Sequence, residues 1–404
     1  MYIDPYTQII PALIVILVVS CTGCNNKVDP ISTEKTTELP RPVDFTFSEK
    51  AETLALVLAD VNGDGHLDLL EGVAGGHNLL YINNQSLNPF RHVEPILIAS
   101  ENHMTIDLAL EDIDGDGDLD YIECTLANNF LRINNGSKTH FDLLPSIRLT
   151  PESMPTYASA FGDINGDDRP DIVLGNSQGN LNQFILNDTQ SPFLNSSHAK
   201  FLGVDKHVTE DLLLFDLDGD GHLDLLTANA GEPNRIYMSD GESPFFSKGR
   251  NIIDKPDYTF AIAAGDIDND GDFDIICGNM GSNTLFLNEG GTFTPHPVGQ
   301  DKETTRIVIL EDFNGDGNLD LLTGNHQAPN LLFLNTGAEP FFVEATKLAK
   351  EPVNDATRAM AVGDVNGDGT LDIVVGNASS QANRIYFLPT EWSSDPFPGY
   401  RPNR

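Results

Sequence analysis

Short apolar runs alternate with polar turns rich in Gly, Asn and Asp along most of this chain, and no segment after residue 20 sustains a helical period. A representative unit begins with an alternating run, "TLALVLAD", and enters an acidic stretch, "VNGDGHLD". A second apolar run follows ("LDLLEG"), then a Gly/Asn turn, a third run opened by Asn ("NLLYIN") and an aromatic-led fourth ("FRHVEPIL"). Runs of this length, rich in Leu, Ile, Val, Phe and Tyr, predict strands joined by tight turns. The first Asp of the acidic stretch recurs at 60, 112, 163, 216, 266, 312 and 364, intervals of 46 to 53 residues. A period near 50 marks an array of supersecondary units. Four strands in each of seven units predict an all-β chain, a seven-bladed β-propeller.

A ring of blades must close. The seventh unit lacks a fourth run, because "PTEWSSDPFPGYRPNR" follows, and Pro396, Pro398 and Pro402 make poor ladder partners. The segment "VDFTFSEK" (43–50) lies just ahead of the first unit and is expected to pair into the last blade. The expected organisation is a signal segment over 1–20, a polar tether over 21–42, the propeller over 43–388 and a tail over 389–404.

The acidic loops place oxygen donors at alternate positions of a tight turn. Position 1 is Asp60, Asp112, Asp163, Asp216, Asp266, Asp312 and Asp364; position 3 is Asn62, Asp114, Asn165, Asp218, Asp268, Asn314 and Asn366. Position 5 is Asp64, Asp116, Asp167, Asp220, Asp270, Asp316 and Asp368, and position 9 is Asp68, Asp120, Asp171, Asp224, Asp274, Asp320 and Asp372. Position 7 varies freely (His66, Asp118, Arg169, His222, Asp272, Asn318, Thr370), as expected of a residue that offers only its main-chain carbonyl. So many carboxylates repel one another unless a cation gathers them. Calcium takes six to eight hard oxygen ligands, which one such turn can largely supply. Magnesium wants a smaller octahedral shell, and zinc wants His or Cys, whereas His66 and His222 stand alone in their loops. Up to seven Ca²⁺ are therefore expected.

Two loops, "DVNGDGHLDLLE" and "DIDGDGDLDYIE", also satisfy the EF-hand pattern, with Glu71 and Glu123 at position 12. The other five loops have Leu174, Thr227, Cys277, Thr323 or Val375 there, and all seven lead into strand-like runs. Closure of the ion's shell is therefore assigned to the Asp at position 9.

Composition narrows the partners. With 23 basic and 61 acidic residues the net charge is −38, which repels nucleic acid and anionic membrane surfaces. Seven calcium ions would cancel more than a third of that charge. Four cysteines do not make a disulfide framework; Cys124 and Cys277 lie in apolar runs and are expected to be buried thiols. The run "IIPALIVILVV" (9–19) is signal-like, and "SCTGC" after it resembles a lipobox, with Cys21, or else Cys24, as the lipidated residue. The expectation is an exported chain, anchored to the envelope by lipid or secreted after cleavage near 20–24, touching the membrane through its anchor alone and acting as a monomer.

The D-x-[DN]-x-D-G-x-x-D loops and their spacing resemble the FG-GAP, or VCBS-type, repeats of the integrin α-subunit propeller and of many secreted bacterial proteins. The resemblance covers about residues 43–388 and implies that the loops, set between the first and second strands of each blade, bind calcium structurally. It fixes no activity.

Function must then be written where the repeats diverge. A Thr stands seven residues before every first Asp (Thr53, Thr105, Thr156, Thr209, Thr259, Thr305, Thr357), as expected of a structural hydroxyl. The residue after it differs from unit to unit: Leu54, Ile106, Tyr157, Glu210, Phe260, Arg306, Arg358. Arg306, Arg358, Tyr157 and Glu210, with neighbouring Asp107 and Asp211, form the candidate ligand site. The first expectation is a binding module for a glycan or a protein. The alternative is a polysaccharide lyase, in which the arginines would neutralise a uronate and Tyr157 would act as base.

Overall fold

The computed structural model describes residues 42–45, 52–98, 103–134, 136, 141, 146–187, 199–203, 206–300, 302–343, 345–348 and 353–388. The signal segment, both candidate lipidation cysteines, the tether up to 41 and the tail lie outside the described residues. Among these residues every regular element is a strand, and no helix is long and apolar enough to cross a membrane.

After β1 (Pro42–Phe45) the chain repeats one antiparallel pattern. The first unit is β2 (Thr53–Ala59), β3 (Asp68–Gly76), β4 (Leu79–Tyr81) and β5 (Ile96–Leu97); the second is β6 (His103–Glu111), β7 (Asp120–Thr125), β8 (Phe130–Arg132) and β9 (Ile147–Arg148). The third runs through β10 (Thr156–Gly162), β11 (Asp171–Asn176), β12 (Gln183–Ile185) and β13 (Ala199–Phe201), and the fourth through β14 (Thr209–Phe215), β15 (Asp224–Glu232), β16 (Arg235–Tyr237) and β17 (Gly249–Asn251). The fifth comprises β18 (Asp257–Gly265), β19 (Asp274–Asn279), β20 (Thr284–Glu289) and β21 (Thr292–Pro297), and the sixth β22 (Thr305–Glu311), β23 (Asp320–Asn325), β24 (Leu331–Phe333) and β25 (Ala345–Lys347). The seventh has β26 (Thr357–Gly363), β27 (Asp372–Asn377) and β28 (Asn383–Phe387), and its fourth strand is β1, paired Pro42↔Tyr386 to Phe45↔Asn383. Residues 46–50 of the proposed closing segment lie outside the described residues.

Burial follows the place of each strand. Second strands such as β7, β11, β19, β23 and β27 are buried at every residue, because each lies between its own partners and a neighbouring unit. Their continuous apolar character reads as a strand covered on both faces. Fourth strands are mostly exposed and often only two or three residues long. The aromatics that open the fourth runs are not strand residues: Phe90, Phe141, Phe246 and Phe342 are buried in the turns before them.

The core is divided into seven apolar clusters, each shared by two successive units. One of them joins Leu56, Leu69 and Tyr81 of the first unit to Ala359, Val374 and Ile385 of the seventh. The same seam is crossed by Asn83 Nδ2 donating to the Val365 carbonyl at 2.8 Å. A circle of antiparallel units with its core at the junctions fits a β-propeller.

Candidate metal loops and channel site

Antiparallel pairing sets two chemically different ends. In each unit the end of the first strand is level with the Asp at position 9 (Ala59↔Asp68, Gly265↔Asp274), so the acidic loops all lie at one end. The threonines, paired level with the ends of the second strands (Thr259↔Asn279), lie at the other.

Every loop has the same internal bonding. The position 1 carboxylate accepts the backbone N–H groups of positions 5 and 6 at 2.7–3.1 Å. The position 9 carboxylate accepts the N–H of position 2 at 2.8–3.2 Å. Positive backbone φ angles at positions 4 and 6 explain the glycines, and the two departures, Asn269 and Asp168 (both φ 62), are residue types that tolerate that region. The apolar residue at position 2 is buried in all seven loops.

In three loops the carboxylates of positions 1, 3 and 9 bring oxygens within 4.8 Å of one another: Asp112, Asp114 and Asp120; Asp216, Asp218 and Asp224; Asp266, Asp268 and Asp274. Oxygens bound to one calcium at about 2.4 Å can be no farther apart than that, so these groups fit the ion. The remaining four loops carry Asn at position 3 and share the same turn. The position 9 side chains are buried, and burial, with the neighbouring acids, pushes their carboxyls up to about 6 for Asp68, Asp224 and Asp274, about 7 for Asp120, Asp171 and Asp372, and about 8 for Asp320. A carboxyl this reluctant to ionise is relieved by a bound cation. In six loops its second oxygen accepts a backbone N–H at or just past the end of the third strand, as from Asn83 at 2.8 Å. In the seventh, Asp372 Oδ1 is buried with no partner among the described residues. Loop three departs in another way: Arg169 forms an ion pair with Asp167, occupying the position 5 acid with a cation of its own loop.

Glu71 and Glu123 do not join the loops. They are buried within β3 and β7, where Glu71 accepts from Thr53, Asn383 and Tyr81, and Glu123 meets Thr105, His103 and Arg132. Five other units place Asn at the end of the second strand to receive the Thr hydroxyl: Asn176, Asn229, Asn279, Asn325 and Asn377, at 2.6–3.3 Å. The Asn that opens the preceding third strand donates to the same hydroxyl, as Asn129 does to Thr156 and Asn234 to Thr259. These threonines and asparagines form a polar belt that joins each unit to the next. The asparagines were visible in the sequence as the openers of the third runs, yet their role required knowing which strand end lies beside which.

Just inside the belt the seven first strands surround a central cavity of about 140 Å³, and Tyr157, Glu210, Arg306, Arg358, Asp107 and Asp211 all line it. The last two are committed to structure. Asp107 accepts from the Ser159 N–H and hydroxyl, each at 2.7 Å, and Asp211 from the Ile262 N–H at 2.9 Å, so each brackets its unit to the following one. Burial pushes them up to about 6 and about 7. The other four residues interact electrostatically. Burial and then Arg358 lower Arg306 to about 10, while burial raises both Glu210 and Tyr157 and the two arginines offset part of that rise. Two neighbours were not singled out from sequence: Phe260, whose ring lies 3.7 Å from the Arg306 guanidinium carbon, and His326, held low by burial and by both arginines.

Mouse cartilage acidic protein 1 is 28% identical to this chain over an alignment of 335 positions, with 72% of the chain and 51% of the relative covered. The human protein is 27% identical over 341 residues, with 72% and 50% covered. The chain spans about half the length of the curated relatives it matches. Among solved structures, BBS1N in complex with ARL6DN superposes with a TM-score of 0.59 at 11% identity, covering 88% of this chain and 98% of its own. An Agrocybe aegerita lectin structure, described as recognising non-reducing terminal N-acetylglucosamine, gives 0.54 at 19% identity, covering 84% and 94%. At such identities the likeness establishes the fold alone. The FG-GAP-like repeat model matches residues 60–123, 112–174, 216–277, 266–323 and 312–375, beginning each time on the first Asp of an acidic loop, with no match beginning on that of loop three or loop seven. Those segments cover more than half of the sequence, and the chain belongs to the FG-GAP-like repeat family.

Proposed function

We propose that this chain is an exported, calcium-stabilised, seven-bladed propeller that acts as a binding module for a glycan or a protein, held at the cell envelope through Cys21 or Cys24. The observation that carries this reading is a division of labour. The repeated acidic loops occupy one end, where calcium would hold each first hairpin in shape. The residues that differ from unit to unit gather at the opposite end, in one cavity, and Arg306 and Arg358 have no hydrogen-bond partner there among the described residues. The lectin among the fold neighbours supports a glycan as the first class to test.

Metal analysis of the purified chain, followed by glycan-array and pull-down screening in calcium, tests both halves. Bound calcium near seven per chain and a saturable ligand without turnover are expected. A metal-free chain of unchanged stability would defeat the first half, and the formation of unsaturated sugar products would favour the lyase alternative. The cavity that brings Tyr157 beside both arginines is what keeps that alternative in view. It takes second place because burial raises the Tyr157 hydroxyl above its usual range, leaving little phenolate to abstract a proton.

A further inference from the structure

Arg306 and Arg358 stand in successive units, so their guanidiniums enter the cavity side by side. Neither has a hydrogen bond or ion pair among the described residues, and Arg306 Nε is buried without a partner. His326 Nδ1 is likewise buried and unpaired, in a ring that feels both arginines. Burying a donor without an acceptor destabilises the fold, and more so for a charged group. In a chain of net charge −38 such a pair is a conspicuous exception. Phe260 supports one face of the Arg306 guanidinium, which leaves the N–H edge for a ligand.

The remaining lining limits the ligand. Asp107 and Asp211 also line the cavity, but their carboxyls are bonded to Ser159 and Ile262, which leaves Arg306, Arg358 and Glu210 as the charged groups that can meet a ligand. A monoanion balances these three. A phosphate or sulfate dianion would set surplus negative charge beside Glu210, while a neutral sugar or a zwitterion would leave guanidinium charge uncompensated. The Glu210 carboxylate can accept from ligand hydroxyl groups, and the Tyr157 hydroxyl can both give and accept. At about 140 Å³ the space is well below that of pockets for drug-sized molecules, roughly 300–1,000 Å³, and suits a single terminal residue.

We infer that the cavity binds a sugar acid, its carboxylate gripped by Arg306 and Arg358 and its ring hydroxyls held by Glu210 and Tyr157. This rests on the binding-module reading and names its ligand class. The exposed Tyr258 and Met280, joined by a backbone hydrogen bond of 2.8 Å from Met280 N–H to the Tyr258 carbonyl, lie at the same end of the molecule as the arginines and offer an apolar shoulder for the rest of the chain carrying that sugar.

The calcium-loaded full chain is titrated calorimetrically with glucuronate, glucose, glutamate and sulfate. Saturable binding of glucuronate is expected, with glucose, glutamate and sulfate each at least about tenfold weaker. Arg306→Lys with Arg358→Lys keeps the charge but removes the planar fork, and should weaken glucuronate at least about tenfold with an unaltered melting temperature. If the double variant fails to fold, Arg358→Lys alone is held to the same criterion. Sulfate, glutamate or glucose binding as well as glucuronate, or undiminished glucuronate binding in the folded variant, overturns the assignment. A glycan array separates the two levels. Neutral glycans bound equally by wild type and variant would remove the sugar-acid site and leave the binding module standing; glucuronate bound when no larger ligand is found would do the reverse.

Discussion

Thr259 shows how much rests on single side chains in this fold. Its hydroxyl donates to Asn279 at 2.8 Å and accepts from Asn234 at 2.9 Å, and the residue is fully buried. Thr259→Val keeps the shape and takes one hydrogen bond from each of the two buried amides, so a loss of about 1–3 kcal/mol is expected in denaturant unfolding. Asp211 makes a prediction of the opposite kind. Its folded pKa of about 7 lies above that of an unfolded Asp, about 3.9. The folded state therefore holds the proton more tightly, and the stability this confers is full below pH 4 and lost as pH rises through 7. In saturating calcium, Asp211→Asn should gain stability relative to wild type as pH is raised from 5 to 8, measured as the difference in melting temperature. A difference independent of pH would show that Asp211 is ionised in the fold. At this scale the sequence was legible in part. Recurrence alone marked the threonines as structural and the variable residues after them as candidate ligand contacts. It could not separate Asp107 and Asp211 from the arginines, because the bonds that occupy them come from Ser159 and Ile262 of the following units, about fifty positions away.

Elements carry the closure. β1 adds a fourth strand to a unit whose other three come from the far end of the sequence. Removing residues 42–45 exposes the edge of β28 and should lower the melting temperature by several degrees while leaving the acidic loops intact. The strand pattern was easy to read, since alternation and turn residues mark first and third strands and doubly covered second strands appear as unbroken apolar runs. The fourth strands were read too long. Phe90, Phe246 and Phe342 look like strand residues because they are apolar, but they are buried in turns, and periodicity cannot distinguish a strand aromatic from one that plugs a turn.

For the whole molecule, the decisive quantity is the charge massed at one end. Seven buried position 9 carboxyls, each beside other acids, oppose compaction when they ionise without a cation to gather them. Chelation should therefore lower thermal stability markedly, by an amount that grows with the calcium concentration of the reference sample, as binding linkage requires. Loop three, with Arg169 already paired to Asp167, should release its ion first, and Arg169→Ala should raise the affinity of that loop. Isotherms that stay superimposable between wild type and the variant would contradict this.

The seam between β28 and β1 has a consequence for biogenesis. A nascent chain leaving the ribosome or crossing a membrane carries β1 first, while its partner β28 is separated from it by nearly the whole sequence. The last stitch can be made only after the final repeat has emerged, so a chain halted part-way through translocation has no finished circle to resist being threaded onward. Late closure of the circle is thus built into the order in which the strands appear.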